Sequence, residues 1–282
     1  MLLLLITIAT LLQTADKPAY VIYNKSGEIV NYSEVVAASA EKEIVFFGEL
    51  HNNPIAHWLQ FELTRDLHQL DTSRTVRLGF EMFEADQQVL LDEYAANQLT
   101  TANFERETRL WDNYKTDYKP LIEYGKANGL KLVASNIPRR YASMVYSRGI
   151  ESLDSLSALT KSWIAPLPIE VDLTLPGYAK MMEMAMGHGG ENLPKSQAVK
   201  DATMAYFILQ YHRPNDLFIH YNGSYHSANY EGILWYIQKY SPKTSMITIT
   251  TIEQNDPENV ELSVLGEADF TIVVNANMTK TY

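Results

Sequence analysis

Short apolar runs alternate with longer stretches in which apolar residues return every third or fourth position, and this alternation organises most of the chain. Residues 20–32 hold two alternating segments around Lys25-Ser26-Gly27-Glu28, which predicts a hairpin with glycine in the turn, and Ser33 then suits a helix cap. Ile44-Val45-Phe46-Phe47 suits a buried parallel strand, and Gly48 marks its turn. Pro54 fits the first turn of a helix carried to Asp71 by Ile55, Leu59, Leu63, Leu67 and Leu70. Residues 76–83 predict the next strand, 85–97 a helix, and 103–128 a second helical stretch closing at Asn128-Gly129. A third short strand follows at 130–134; then come a helix at 197–212, a strand at 216–221, a helix near 230–240, and strands at 246–252 and 270–274. Strands separated by helices imply right-handed crossovers, so the predicted fold is α/β, with a mostly parallel central sheet flanked by helices.

One region breaks the alternation. Between 152 and 212, Pro166, Pro168, Pro176 and Pro194, with Gly187, Gly189 and Gly190, interrupt short helical pieces, and the length exceeds an ordinary crossover, which predicts a smaller helical cap subdomain. The 282 residues, 46% of them hydrophobic, suffice for one large domain over 16–282. Residues 1–12 are a nearly pure run of Leu, Ile, Ala and Thr, too short to span a bilayer but suited to an export signal ending near Ala15, so an exported protein, periplasmic or at the cell surface, is expected.

Charge and cysteine narrow the chemistry. With 34 acids against 23 bases, net −11, and no basic run, a nucleic-acid partner is not expected. The absence of cysteine removes disulfides, thiolate metal sites and cysteine nucleophiles. The candidate site residues stand at strand ends, where open α/β sheets bind ligands: Glu49 and His51 in Gly48-Glu49-Leu50-His51, Glu81 near the end of its strand, Asn136 and Arg139 after the third, and His226 in Gly223-Ser224-Tyr225-His226. Imidazoles and carboxylates are normal ligands of a divalent metal ion, so Glu49, His51, Glu81 and His226 form a candidate metal set; the same groups suit metal-free acid/base catalysis. Arg139 can hold a carboxylate or propionate bidentately. No nucleophile elbow, phosphate loop or dinucleotide fingerprint is present.

Taken as a set, Phe47-Gly48-Glu49-Leu50-His51, Gly79-Phe80-Glu81-Met82-Phe83, Asn136-Ile137-Pro138-Arg139-Arg140, Gln197 with Asp201-Ala202-Thr203-Met204-Ala205, and Asn222-Gly223-Ser224-Tyr225-His226 resemble the ChaN-like haem-binding proteins. These belong to a superfamily with the Tiki and TraB proteins and the erythromycin esterase-like enzymes. The resemblance covers about 43–252 and implies an exported, iron-regulated protein that binds haem for iron acquisition, as a homodimer working with outer-membrane uptake machinery. It also implies a tyrosine iron ligand with a histidine nearby, for which Tyr178 and His188 in the cap are the candidates. Their separation, roughly 15 Å along a straight helix, keeps them from sharing one iron. The Tiki relatives imply the rival reading, a metal-dependent, protease-like hydrolase using the two GxxH elements, and a cell-surface interaction module is a third. The chain departs from the family in lacking a lipid-attachment cysteine.

Overall fold

The computed structural model describes residues 17–184 and 190–282; the expected export segment and His188 lie outside them. In chain order the elements are β1 (Tyr20–Asn24), β2 (Ile29–Val30), α1 (Tyr32–Ala40), β3 (Ile44–Glu49), α2 (Pro54–Leu70), β4 (Val76–Glu84), α3 (Gln88–Ala95), α4 (Thr101–Glu107), α5 (Lys119–Ala127) and β5 (Lys131–Asn136). They continue with α6 (Arg139–Arg148), α7 (Ala158–Lys161), α8 (Pro176–Met184), α9 (Asn192–Tyr211), β6 (Leu217–Gly223), α10 (Ile233–Tyr240), β7 (Met246–Gln254) and β8 (Phe270–Asn275).

The eight strands form one sheet in the order β2-β1-β8-β7-β3-β6-β4-β5. From β8 to β5 all neighbours pair in parallel, while β1 runs antiparallel to β8 and β2 to β1, closing that edge with the expected hairpin. Because parallel strands are covered on both faces, β3 and β6 are buried at every position. Val45, Phe47, Leu217, Ile219 and Tyr221 pack on one face with Leu59, Leu63 and Leu67 of α2 and Leu121 and Ile122 of α5. Ile44, Phe46 and Phe218 pack on the other with Val145 of α6, Val199 and Ile208 of α9, and Ile233 and Ile237 of α10. Each such side chain contributes about 1.5–3 kcal/mol when fully buried.

The connections explain the two layers. The chain leaves β3 through α2 toward β4, but leaves its neighbour β6 through α10 toward β7, so the order reverses between two adjacent strands. Right-handed crossovers running in opposite directions put their helices on opposite faces and open a crevice at the carboxyl ends of those strands.

Several boundaries differ from the sequence-based expectation. Asn31, not Ser33, precedes α1: the Glu34 carboxylate accepts from the Asn31 N–H at 2.9 Å, closing the helix start two residues earlier. The single helix expected over 103–128 is split into α4, a loop, a π-helical turn at Tyr114–Tyr118, and α5. The loop is drawn to the sheet because the Asn113 amide donates to the carbonyl of His51 at 2.7 Å and to Asp117 at 2.6 Å. The stretch expected to form a helical cap holds α7, α8 and α9; α9 begins five residues earlier than expected and packs on the sheet. Among the described residues no helix is long and apolar enough to cross a membrane.

Candidate functional site

Four adjacent strands end on one rim. Glu49 of β3 is paired in register with Gly223 of β6, and Glu84 of β4 with Asn136 of β5; the β4 register slips between Phe80 and Glu84, so Glu81 sits at the irregularity. A cavity of about 970 Å³ opens there, lined by Glu49, His51, Glu81, Arg139 and His226, so the strand-end residues picked from the sequence share one site. Gly223 makes the close approach possible: a Cβ on it would lie 2.8 Å from Nε2 and Cε1 of His51.

Glu49 is 1% exposed and collects donors from three elements. His51 Nδ1 lies 2.9 Å away, the Gln60 amide donates at 2.5 Å and the Tyr118 hydroxyl at 2.6 Å. Burial works against its charge, but the hydrogen bond from His51 and the nearby imidazole of His57 outweigh it and hold the carboxyl below its ordinary pKa. Behind it, His57 links the Glu49 carboxylate at 3.4 Å to Asp117 at 3.3 Å. His51 is the open member: its side chain is 37% exposed and lines the cavity, and its Nδ1 is committed to Glu49. Burial opposes its protonation, yet the hydrogen bond to Glu49 and the charge of Glu81 raise its pKa. Trp111 stands edge-on against its ring at 4.8 Å.

The second imidazole is closed. His226, 5% exposed, lies between Asp201, 2.5 Å from Nδ1, and Glu81, 3.1 Å from Nε2. Both ring nitrogens then donate, as an imidazolium requires. Against the cost of burial, the charges of Glu81 and Asp201 push its pKa up to about 10. Glu81 is buried too, but His226 and the Gly223 N–H, which donates at 2.7 Å, depress its pKa strongly. The partner that a buried acid at this position requires is therefore His226.

Glu49, His51, Glu81 and His226 do come together, but as ion pairs with one another; among the described residues no group of three or more His, Asp or Glu side chains is arranged as a metal-ligand set. Tyr178, expected to face a porphyrin, is turned into the protein: it is 3% exposed, and its hydroxyl donates to Asp201 at 2.6 Å while burial drives its pKa far up. Met181, one turn on, does line the cavity. The phenols that open on the cavity are Tyr225 and Tyr282.

Sequence reasoning gave no role to Tyr118, His57 or Gln60, and singled out Asp201 only within the family-like run Asp201-Ala202-Thr203-Met204-Ala205. His57, Gln60 and Thr64 were detectable, because polar residues at helical spacing interrupt the apolar face of α2 and all three are buried.

A solved structure of cofacial heme binding to ChaN of Campylobacter jejuni superposes with a TM-score of 0.65 at 15% identity, covering 91% of this chain and 97% of the other. A Bacillus cereus protein superposes with a TM-score of 0.52 at 11% identity, covering 86% and 90%. Both likenesses concern the fold. The Arabidopsis thaliana chloroplastic protein RETICULATA-RELATED 5 is 28% identical over 115 residues, which is 39% of this chain and only 16% of the plant protein's length. The family model described as haem-binding uptake, Tiki superfamily, ChaN matches residues 35–237, most of the chain and the ends of β3, β6, β4 and β5, and this protein belongs to that family.

Proposed function

We propose that the protein binds haem in the cavity at the carboxyl ends of β3, β6, β4 and β5, and that it is exported for haem-iron acquisition. The observation that carries this reading is the family match over 35–237, which spans that rim. The cavity suits such a ligand: about 970 Å³ stands at the upper end of small-molecule sites, and Met82, Leu110, Trp111, Ile137 and Met181 give it apolar and aromatic wall. His51 lines the cavity with an imidazole, and Tyr225 lines it with a phenol whose hydroxyl donates to the Gly177 carbonyl at 2.5 Å. Bound haem supplies an iron that takes donors of either kind. The apolar run at 1–12 supports export. Titration of the purified protein with ferric haem is expected to produce a shifted absorption band that a His51→Ala/Tyr225→Phe variant alters. A folded wild-type protein that leaves the haem spectrum unchanged would refute the reading.

A second reading, hydrolysis, is favoured by the Glu49–His51 pair. A buried carboxylate holds Nδ1 and leaves Nε2 to take a proton from water, with Glu81 close by. It needs no metal ion. Turnover of simple esters that vanishes in His51→Ala would support it, and activity retained in that variant would dismiss it.

A further inference from the structure

One imidazole stands behind the cavity rather than in it. His57 is buried and is not among the residues lining the cavity, yet it touches both members of the Glu49–His51 pair. Its Nδ1 faces Oε1 of Gln60 at 3.2 Å and the Glu49 carboxylate at 3.4 Å; its Nε2 faces the carbonyl of His51 at 3.1 Å and the Asp117 carboxylate at 3.3 Å. All four facing atoms are oxygens. The Gln60 amide cannot be reversed to offer a donor, because its nitrogen already donates to Glu49 at 2.5 Å. A neutral imidazole has one donor and one acceptor nitrogen, so a ring that meets only acceptors donates from both, as an imidazolium.

Helix formation does not ask for this cation. His57 is the fourth residue of α2, near the amino end, where the helix dipole disfavours positive charge, and a buried charge needs a counter-ion. Two carboxylates supply it. Glu49 is one; the other is the buried Asp117, brought there by the π-helical turn Tyr114–Tyr118, a kind of turn that recurs at functional sites. The same turn sends its next residue, Tyr118, to Glu49 at 2.6 Å. Asn113 donates to Asp117 at 2.6 Å and, like His57, to the His51 carbonyl.

We propose that His57 and Asp117 are positioning residues of the Glu49–His51 pair, and that they fix His51 in the tautomer with its proton on Nδ1 and its lone pair on Nε2. The inference rests on the reading that His51 supplies the working imidazole of the cavity, and adds what sets the state of that imidazole. The His57 cation stabilises Glu49 as an anion where burial alone would neutralise it. An anionic carboxylate can only accept, so Nδ1 of His51 keeps the proton and Nε2 keeps the lone pair that an iron or a water proton would meet. The hydrogen bonds on the His51 carbonyl hold the main chain of the same residue, so ring and backbone are fixed together.

The test is NMR of the ring nitrogens in the full chain labelled at histidine, without haem, under conditions where His51 is neutral. In wild-type protein His51 is expected to carry its proton on Nδ1 alone and His57 to carry one on each nitrogen. His57→Gln and Asp117→Asn should each shift the His51 resonances toward the Nε2–H form, which free imidazole side chains prefer; a role in packing alone would leave them in place. Glu170→Gln removes a surface acid paired with Lys239 outside the cavity, so it controls for net charge and should not move them. A single proton on His57 in wild-type protein overturns the inference, and so does a His51 tautomer that is unmoved in the folded variants. The wild-type spectrum needs no substitution, so a variant that fails to fold does not block the test. A wild-type protein that leaves the spectrum of ferric haem unchanged removes the haem reading without altering the tautomer result, so the two failures are told apart.

Discussion

The two rims of the parallel sheet use charge differently. At the amino-terminal rim, charges are tied to strand ends: Arg74 donates to the carbonyls of Ala40 at 2.6 Å, Asp216 at 3.0 Å and Asn215 at 3.2 Å, Arg77 pairs with Asp216 at 2.5 Å, and the Glu43 carboxylate accepts the Ser245 N–H at 2.8 Å. At the carboxyl-terminal rim, Glu49, Glu81 and Asp201 are buried around His51, His57 and His226, while Arg139 and Lys200 are among the residues that line the cavity. Capping strands needs only the first kind of arrangement. Buried ion pairs are a poor route to stability, since apolar packing in their place is often as good or better, so the second kind points to a ligand rather than to the fold.

The largest contrast should come from removing a charge at each rim. Glu81→Ala leaves the His226 imidazolium buried beside Asp201 alone, and a loss of about 3–5 kcal/mol is expected in urea unfolding. A loss no larger than that of Arg77→Ala would break the comparison. The pH dependence sharpens it. The folded pKa of His226 is raised to about 10, so its contribution is complete below the unfolded value and is lost as pH rises toward 10. The unfolded value is about 6.5. Glu81 has the opposite sign: its folded pKa is depressed, so its contribution is present above an unfolded value of about 4.3 and fades as pH falls below it. The urea midpoint should therefore decline from pH 7 to pH 9.5, and in His226→Gln that decline should flatten; an unchanged slope would deny that the pair is charged.

Gly79→Ala is expected to cost about 1–3 kcal/mol, as overpacking does. Its Cβ would lie 2.5 Å from the Phe218 ring and 2.9 Å from Cδ2 of His220, beneath the site. Wild-type thermal stability in this variant would show that the strands have room to separate. At the amino rim Arg77→Ala should cost only about 1 kcal/mol, since its ion pair is partly solvated. The smallest effect is on titration alone: NMR of His51 should show a pKa above the ordinary imidazole value, and Glu49→Gln should bring it down. A His51 titration indifferent to Glu49 would separate the two as a functional pair.

Much of this was readable in the sequence, for a physical reason. A strand buried on both faces admits almost no polar residue, so Glu49 after Ile44-Val45-Phe46-Phe47 had to lie where the strand runs out, and parallel order brought that end beside those carrying Glu81 and His226. What was hidden depends on long-range placement. Asp201 sits on α9 amid residues that otherwise read as a helix interior, and only the return of β6 between β3 and β4 carries His226 to it. Tyr118 reaches Glu49 from 69 residues away because the expected helix breaks at 108–113, where Asn113 binds backbone rather than continuing a helical turn. Tyr178 was chosen from its neighbours, and its neighbours do not reveal which way a side chain on a short cap helix faces.

The indole beside His51 gives the site its own signal. The chain has 4 tryptophans, and among the described residues only Trp111 lines the cavity, edge-on to the open imidazole at 4.8 Å. A coloured guest seated there drains the emission of that indole by energy transfer, whereas a colourless guest changes only its wavelength. Occupancy can thus be followed by intrinsic fluorescence without a label, and Trp111→Phe identifies the share of the light that belongs to the site.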